Sequence, residues 1–81
     1  MIRIEFYIKN NKALAYDKNI IVGVCEYIVQ EDIWNIVHTE VNKDYQGQGI
    51  ARRLVECIID EAKKNKKKLI ADCSYAARVI K

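Results

Sequence analysis

The 81-residue sequence has no run of about 18 apolar residues, the length a membrane-crossing helix needs. Its only apolar start, at the amino end, is broken by Arg3, Glu5 and Lys9 before it can form a signal-peptide core. A cytoplasmic protein with no membrane partner is expected. Cysteine is sparse and odd in number, at three, and a single histidine stands beside it. Neither a disulfide scaffold nor a zinc site suits that inventory, so no metal is expected. Repeats, linkers and low-complexity segments are missing too, and residues 1–81 read as one domain. A chain of this size buries only roughly 60% of its extended-chain surface, which makes for a small core. With 51% of its residues apolar it still has enough to fold.

The net charge of +3 is modest, and most of the excess lies in Lys63-Lys64-Asn65-Lys66-Lys67-Lys68. At the end of a helix these cations complement the helix dipole. Nucleic-acid binding is the weaker reading, because no aromatic platform or second basic stripe accompanies the run.

Taken in order, Met1 to Lys9 alternates Ile2, Ile4, Phe6 and Ile8 with Arg3, Glu5, Tyr7 and Lys9, the period of a half-buried strand. Asn10-Asn11 makes a turn, Lys12 to Asp17 a short second strand, and Asp17-Lys18-Asn19 a further turn. Ile20 to Gln30 and Ile33 to Val41 are rich in β-branched residues and flank a break at 30–32, which predicts a long hairpin. Simple alternation puts Ile36, His38 and Glu40 on one face of the second arm and Val37, Thr39 and Val41 on the other. From Gly49 to Asn65 the residues Ile50, Leu54, Ile58 and Ala62, flanked by Ala51, Val55 and Ile59, recur at helical spacing. Asn65 is the expected left-handed stop. Leu69 to Cys73 is expected to return as a strand parallel to the one ending at Val41, and Ser74 to cap a short helix from Tyr75 to Lys81.

Between the last hairpin strand and the long helix lies Gln46-Gly47-Gln48-Gly49-Ile50-Ala51, holding two of the three glycines of the chain. Bare backbone amides at the glycines and about four unpaired N–H groups in the helix's first turn call for an anion there. The mononucleotide P-loop is set aside, since it needs Lys followed by Ser or Thr where Ile50-Ala51 stands. The dinucleotide fingerprint has two of its glycines and Asp72 on the next strand, but Arg52 occupies the third glycine position. An antiparallel meander before the motif and a lone βαβ step also count against it.

The loop does fit the pattern Gln/Arg-x-x-Gly-x-Gly/Ala and resembles the coenzyme A pyrophosphate loop of the GNAT superfamily of N-acetyltransferases. His38-Thr39-Glu40-Val41 before it and Cys73-Ser74-Tyr75 after the next strand are similar to the small GNAT-like proteins with an HTxV strand and a CS-aromatic segment. The resemblance runs from about Gly23 to Ile80. It implies an α/β fold: a twisted, mostly antiparallel sheet with one parallel βαβ step whose strands splay apart, a central helix at about 49–65 and a short C-terminal helix. It also implies acetyl (or acyl) transfer from acetyl-CoA to an amine acceptor, with Val41, Gln46, Gly47, Gln48, Gly49, Ile50, Ala51 and Arg52 holding the coenzyme. The lysine run is then also a candidate for its ribose phosphate. Full-sized relatives place two helices between their first strands to shape the acceptor pocket, and this chain has no room for them. A coenzyme A-binding or protein-interaction module without transfer is the alternative function.

Four residues are candidates for chemistry, each with a plainer role beside it. His38 titrates near neutrality and suits a base, or is a satisfied strand histidine. Many GNAT enzymes carry a carboxylate on this strand, which makes Glu40 the other candidate base. Cys73, at a strand end where a helix begins, is a candidate thiolate nucleophile or a packed cysteine. Cys25 and Cys57 read as small hydrophobic residues. Tyr75 by resemblance protonates the departing coenzyme thiolate, or it simply closes the pocket. Tyr45 reads as packing and Gln46 as a loop-shaping or phosphate-facing amide.

Overall fold

The computed structural model describes residues 1–80. Strand β1 (Ile2–Tyr7) is followed by a 3-10 turn, then β2 (Lys12–Asp17), β3 (Ile20–Gln30) and β4 (Ile33–Val41). A second 3-10 turn at Lys43–Tyr45 leads into helix α1 (Ile50–Lys64), then β5 (Lys68–Ala71) and helix α2 (Ser74–Ile80). The strands lie in sequence order in one sheet, antiparallel throughout except for the parallel pair β4 and β5. This is the α/β architecture with a single parallel step.

Several boundaries differ from the pattern-based expectation, each for a local reason. The first strand stops at Tyr7, because Ile8–Asn10 tightens into a 3-10 turn that Asn11 ends at φ 55°. Asparagine tolerates that left-handed conformation. Asn65 is not the left-handed stop of α1; its φ is −94° and Lys66 takes the positive φ of 56°. The Lys67 amide then donates to Ala62 O at 2.8 Å and the Lys66 amide to Lys63 O at 3.1 Å, a Schellman ending with lysine in the glycine position. Asn65 acts through its side chain, whose Nδ2 donates to Glu61 O at 2.8 Å. The last strand ends at Ala71 instead of Cys73, and Ser74 lies inside α2. Cys73 is the residue before the helix, its carbonyl accepting from the Ala77 amide at 2.9 Å. The expected final helix position Lys81 lies outside the described residues.

Helix α1 buries Ile50, Leu54, Val55, Ile58 and Ala62. A 15-residue helix is marginal alone, whereas each fully buried large aliphatic contributes about 1.5–3 kcal/mol, so packing on the sheet holds it. The sheet beneath is made of small residues. Ala13 and Ala15 are fully buried, and a Cβ on Gly23 would come within 3.1 Å of Leu54 Cδ1 and 3.3 Å of Glu40 O. Farther along the same face Phe6, Tyr27 and Trp34 stack, with Tyr27 and Trp34 centroids 4.4 Å apart. α2 adds Ala76 to the same core.

Strand β4 carries the feature that shapes the site. Its register with β3 steps from Glu26↔His38 to Tyr27↔Ile36, which leaves Val37 as the extra residue of a β-bulge. A bulge bends the strand and resets the alternation of faces. Cross-strand partners share a face, so Trp34, Ile36, Thr39 and Val41 lie on the helix side, while Asn35, His38 and Glu40 lie on the opposite side. The expectation that Ile36 shares a face with His38 and Glu40 is therefore overturned. Among the described residues no helix lies against that opposite face, and Ile28 and Ile70 are 43% and 46% exposed on it.

Candidate active site

The parallel ladder is short. It pairs Ile33–Ile36 with Lys68–Ala71 and goes no farther, while β4 runs on through the bulge to Val41. Past this point β5 has ended and the chain turns at Asp72 and Cys73 into α2, leaving β4 to run on alone. The fork is fixed by Ile36, whose carbonyl accepts from the amides of both Asp72 and Cys73 at 3.0 Å. Asn35, nearly buried, reinforces it: its Nδ2 donates to Asp72 Oδ2 and its Oδ1 accepts from the Asp72 amide, both at 3.0 Å. Asp72, which the dinucleotide pattern would assign to a ribose, is thus occupied in holding the turn that carries Cys73.

The fork opens into a cleft of about 420 Å³. One wall is β4, with Thr39, Glu40 and Val41; the floor and far end are Gly47, Gly49, Ile50 and Ala51; Tyr75 of α2 closes the other side. Gly47 and Gly49 have φ of 83° and 77°, and a Cβ on either would meet nothing within 4 Å. Both glycines are needed for backbone conformation, and both leave open space above the loop. The first intrahelical bond runs from the Arg53 amide to Gly49 O at 3.1 Å, so the amides of Ile50, Ala51 and Arg52 precede it and have no partner within the helix. Gln46 shapes the loop, its Nε2 donating to Val41 O at 3.3 Å, and it also lines the cleft.

The other expected coenzyme residues fall outside. Gln48 is exposed and Arg52 pairs with Glu56 at 3.1 Å on the wet side of α1, and neither lines the cleft. Tyr45 does line it, beyond the packing expected of it, and its hydroxyl donates to Asp17 Oδ2 at 2.6 Å. That bond raises the Tyr45 pKa above the usual phenol value.

His38 and Glu40 are together, Nε2 to Oε1 at 3.0 Å, with side chains 48% and 70% exposed. Glu40 reaches the cleft edge and His38 does not. Cys73 sits across the fork, half-buried, with Sγ 3.6 Å from Thr39 Oγ1. Desolvation pushes this thiol up, but hydrogen bonds from the Ala76 amide, the Thr39 hydroxyl and the Tyr75 and Thr39 backbone outweigh it and bring its pKa below the ordinary thiol value. A thiol in that state supplies thiolate more readily than a free cysteine. Cys25 is not merely a core hydrophobe: it is fully buried, and its Sγ also stands 3.6 Å from Thr39 Oγ1. Burial pushes its thiol up to about 11. Cys57, half-buried on α1, is likewise raised by desolvation and then by Glu61. Thr39, named only as part of the strand segment, and Tyr45, expected to pack, are cleft residues to which the sequence assigned no role in the site. Counted back from Gln30↔Ile33 without a bulge, the hairpin pairs Cys25 with His38, so the sequence carried no signal for the Cys25↔Thr39 pairing.

A family model described as GCN5-related N-acetyl-transferase matches residues 5–81. Among solved structures, a GCN5-like protein from Staphylococcus aureus superposes with a TM-score of 0.72 at 30% identity, covering 96% of this chain and 76% of that one. The ribosomal-protein-S18-alanine N-acetyltransferase of Escherichia coli gives 0.73 at 23% identity, with 85% and 48% covered. A GNAT family acetyltransferase from Elizabethkingia anophelis with acetyl-CoA bound gives 0.70 at 24%, with 91% and 52% covered. The last two share the fold, and the chain spans about half the length of each. No curated protein matches the chain.

Proposed function

The chain belongs to the GCN5-related N-acetyltransferase family, and from that premise we propose that it moves an acetyl group from acetyl-CoA to an amine by way of Cys73. The observation that carries this reading is the fork itself: a cleft that ends on bare helix-start amides, with a thiol of lowered pKa just outside its lining, 3.6 Å from the hydroxyl of the lining residue Thr39. The amides of Ile50 and Ala51, beside Gly47 and Gly49, are assigned to the pyrophosphate, where the helix dipole adds to their pull. Val41 lines the passage between strands. Gln46 is assigned to holding the loop, and Gln48 and Arg52 carry no role in this scheme.

Cys73 Sγ attacks the thioester carbonyl; its new C–S bond forms as the coenzyme's C–S bond breaks. One thiolate replaces another, so the exchange is near neutral and takes up no net proton. Tyr75 then has no proton to supply in this step, and its place on the cleft wall suits covering the reacting carbon from water. The amine nitrogen next attacks acetyl-Cys73, the C–S bond breaks, and the thiolate returns to Cys73. Glu40, at the cleft edge with His38 beside it, takes the amine's proton.

Incubation with acetyl-CoA followed by mass spectrometry should show one added acetyl group on Cys73 and none on Cys25 or Cys57. If Cys73 stays unmodified and Cys73→Ala consumes acetyl-CoA as fast as the parent, the covalent route is wrong and Glu40 or His38 acts directly. The exposure of the His38–Glu40 pair favours a second reading, a coenzyme A-binding module without transfer, since neither side chain is enclosed around an acceptor amine. Calorimetric binding of acetyl-CoA with no turnover across a panel of amines would establish that one.

A further inference from the structure

The hydroxyl of Thr39 stands 3.6 Å from two sulfurs at once, Cys25 Sγ beneath it and Cys73 Sγ across the fork. A hydroxyl has one proton to give and two lone pairs to accept with. Its two neighbours are not equivalent. Cys25 is fully buried in the sheet core, where a thiolate is disfavoured, so it remains S–H and can either donate or accept. Cys73 is half-buried between the cleft-lining Thr39 and Tyr75 and also receives the Ala76 and Tyr75 backbone amides, which favour its charged form. When Cys73 is a thiolate it can only accept. The chain of bonds then runs one way, with Cys25 S–H donating to Thr39 Oγ1 and Thr39 O–H donating to Cys73 S⁻.

We propose that Thr39 is a positioning residue for Cys73, and that the buried Cys25 thiol orients its hydroxyl so that the proton faces the Cys73 sulfur. This rests on the reading of Cys73 as the acetyl acceptor. With Cys73 as a thiol the chain runs the other way, Cys73 S–H donating to Thr39 Oγ1 and Thr39 O–H donating to Cys25 Sγ, so ionisation of Cys73 reverses both bonds. Cross-strand pairing fixes the arrangement: Thr39 is opposite Cys25 in the β3–β4 ladder, and the Val37 bulge turns Thr39 to the helix side. The titratable groups around the relay are Glu26 on β3, Cys57 on α1, and Asp72 and Tyr75 flanking Cys73 along the chain. Asp72 is held by Asn35.

The test is the pH profile of Cys73 alkylation by iodoacetamide, followed at peptide level by mass spectrometry. Thr39→Val keeps the shape and removes the hydroxyl; it should move the profile up by about one pH unit, making alkylation at neutral pH about tenfold slower. Thr39→Ser should restore the parent profile. Cys25→Ala should slow the reaction in the same direction by about threefold, since the hydroxyl stays but loses its orienting donor. Cys57 serves as an internal control and should react at the parent rate in every variant. A Thr39→Val profile superposed on the parent's overturns the proposal, as does a shift that comes with faster Cys57 alkylation, the mark of a loosened fold. A shifted Thr39→Val profile in a protein whose Cys73 never takes an acetyl group leaves the relay standing and removes the transfer reading instead.

Discussion

Gly49 stands at φ 77° where α1 begins, and the space above it is open. Two costs therefore separate at this one residue. Gly49→Ala forces an L-residue into the left-handed region, which should lower stability by about 1–2 kcal/mol in a denaturant titration. Its methyl group also points into the space where a phosphate would lie, so acetyl-CoA affinity measured by calorimetry should fall by about tenfold or more. Parent-like affinity in folded Gly49→Ala protein would contradict the assignment of the loop. The lysine at the Schellman position of α1 teaches the converse: Lys66 accepts a φ of 56° because two backbone bonds, from its own amide and from Lys67, repay the strain.

At the scale of elements, every strand and helix was legible from period and turn chemistry, because each half-buried strand alternates and α1 has a wide apolar stripe. The glycine loop was legible as well, since Gly47 and Gly49 have no other use so close to a helix start. What escaped was the Val37 bulge, because Ile36 and Val37 are both apolar and the composition of the strand shows no break. That one extra residue reassigned His38 and Glu40 to the uncovered face and brought Thr39 to Cys73, so the constellation could not be read from alternation. Cys25 reads as a buried small hydrophobe and is one, but its contact with Thr39 depends on the bulge and was not legible. Deleting Val37 should straighten β4 and close the fork. The variant is expected to keep its far-UV circular dichroism and lose acetyl-CoA affinity by about tenfold or more, a loss that Gly49→Ala would then not deepen additively. Unchanged affinity would mean that the bulge does not shape the cleft.

The whole molecule should respond to alkali through its buried thiol. Cys25 has a folded pKa of about 11 against an ordinary value of 9.0, so the folded state favours the protonated form. Its contribution is fully present below about pH 9 and is lost as pH rises through about 11, a fall on the order of 2–3 kcal/mol for a fully buried group. Cys73 has the opposite sign: its lowered pKa favours the fold above the ordinary thiol value and loses that as pH falls through the folded one. Denaturant titrations across pH 8 to 11 should show stability declining in the parent and declining less in Cys25→Ala, whose starting stability is lower because of the void left by the sulfur. Equal slopes would show that Cys25 is not the titrating group. The short ladder of β5 has a consequence for motion. β5 is an edge strand with four paired residues, all on β4, whereas β2 and β3 are paired on both sides. Amides of Leu69 and Ile70 should then exchange with deuterated solvent through local opening well before those of β2 and β3, and a molecule seated in the fork, touching β4 and α2 together, should slow that opening and so report its own arrival at a strand it need not contact.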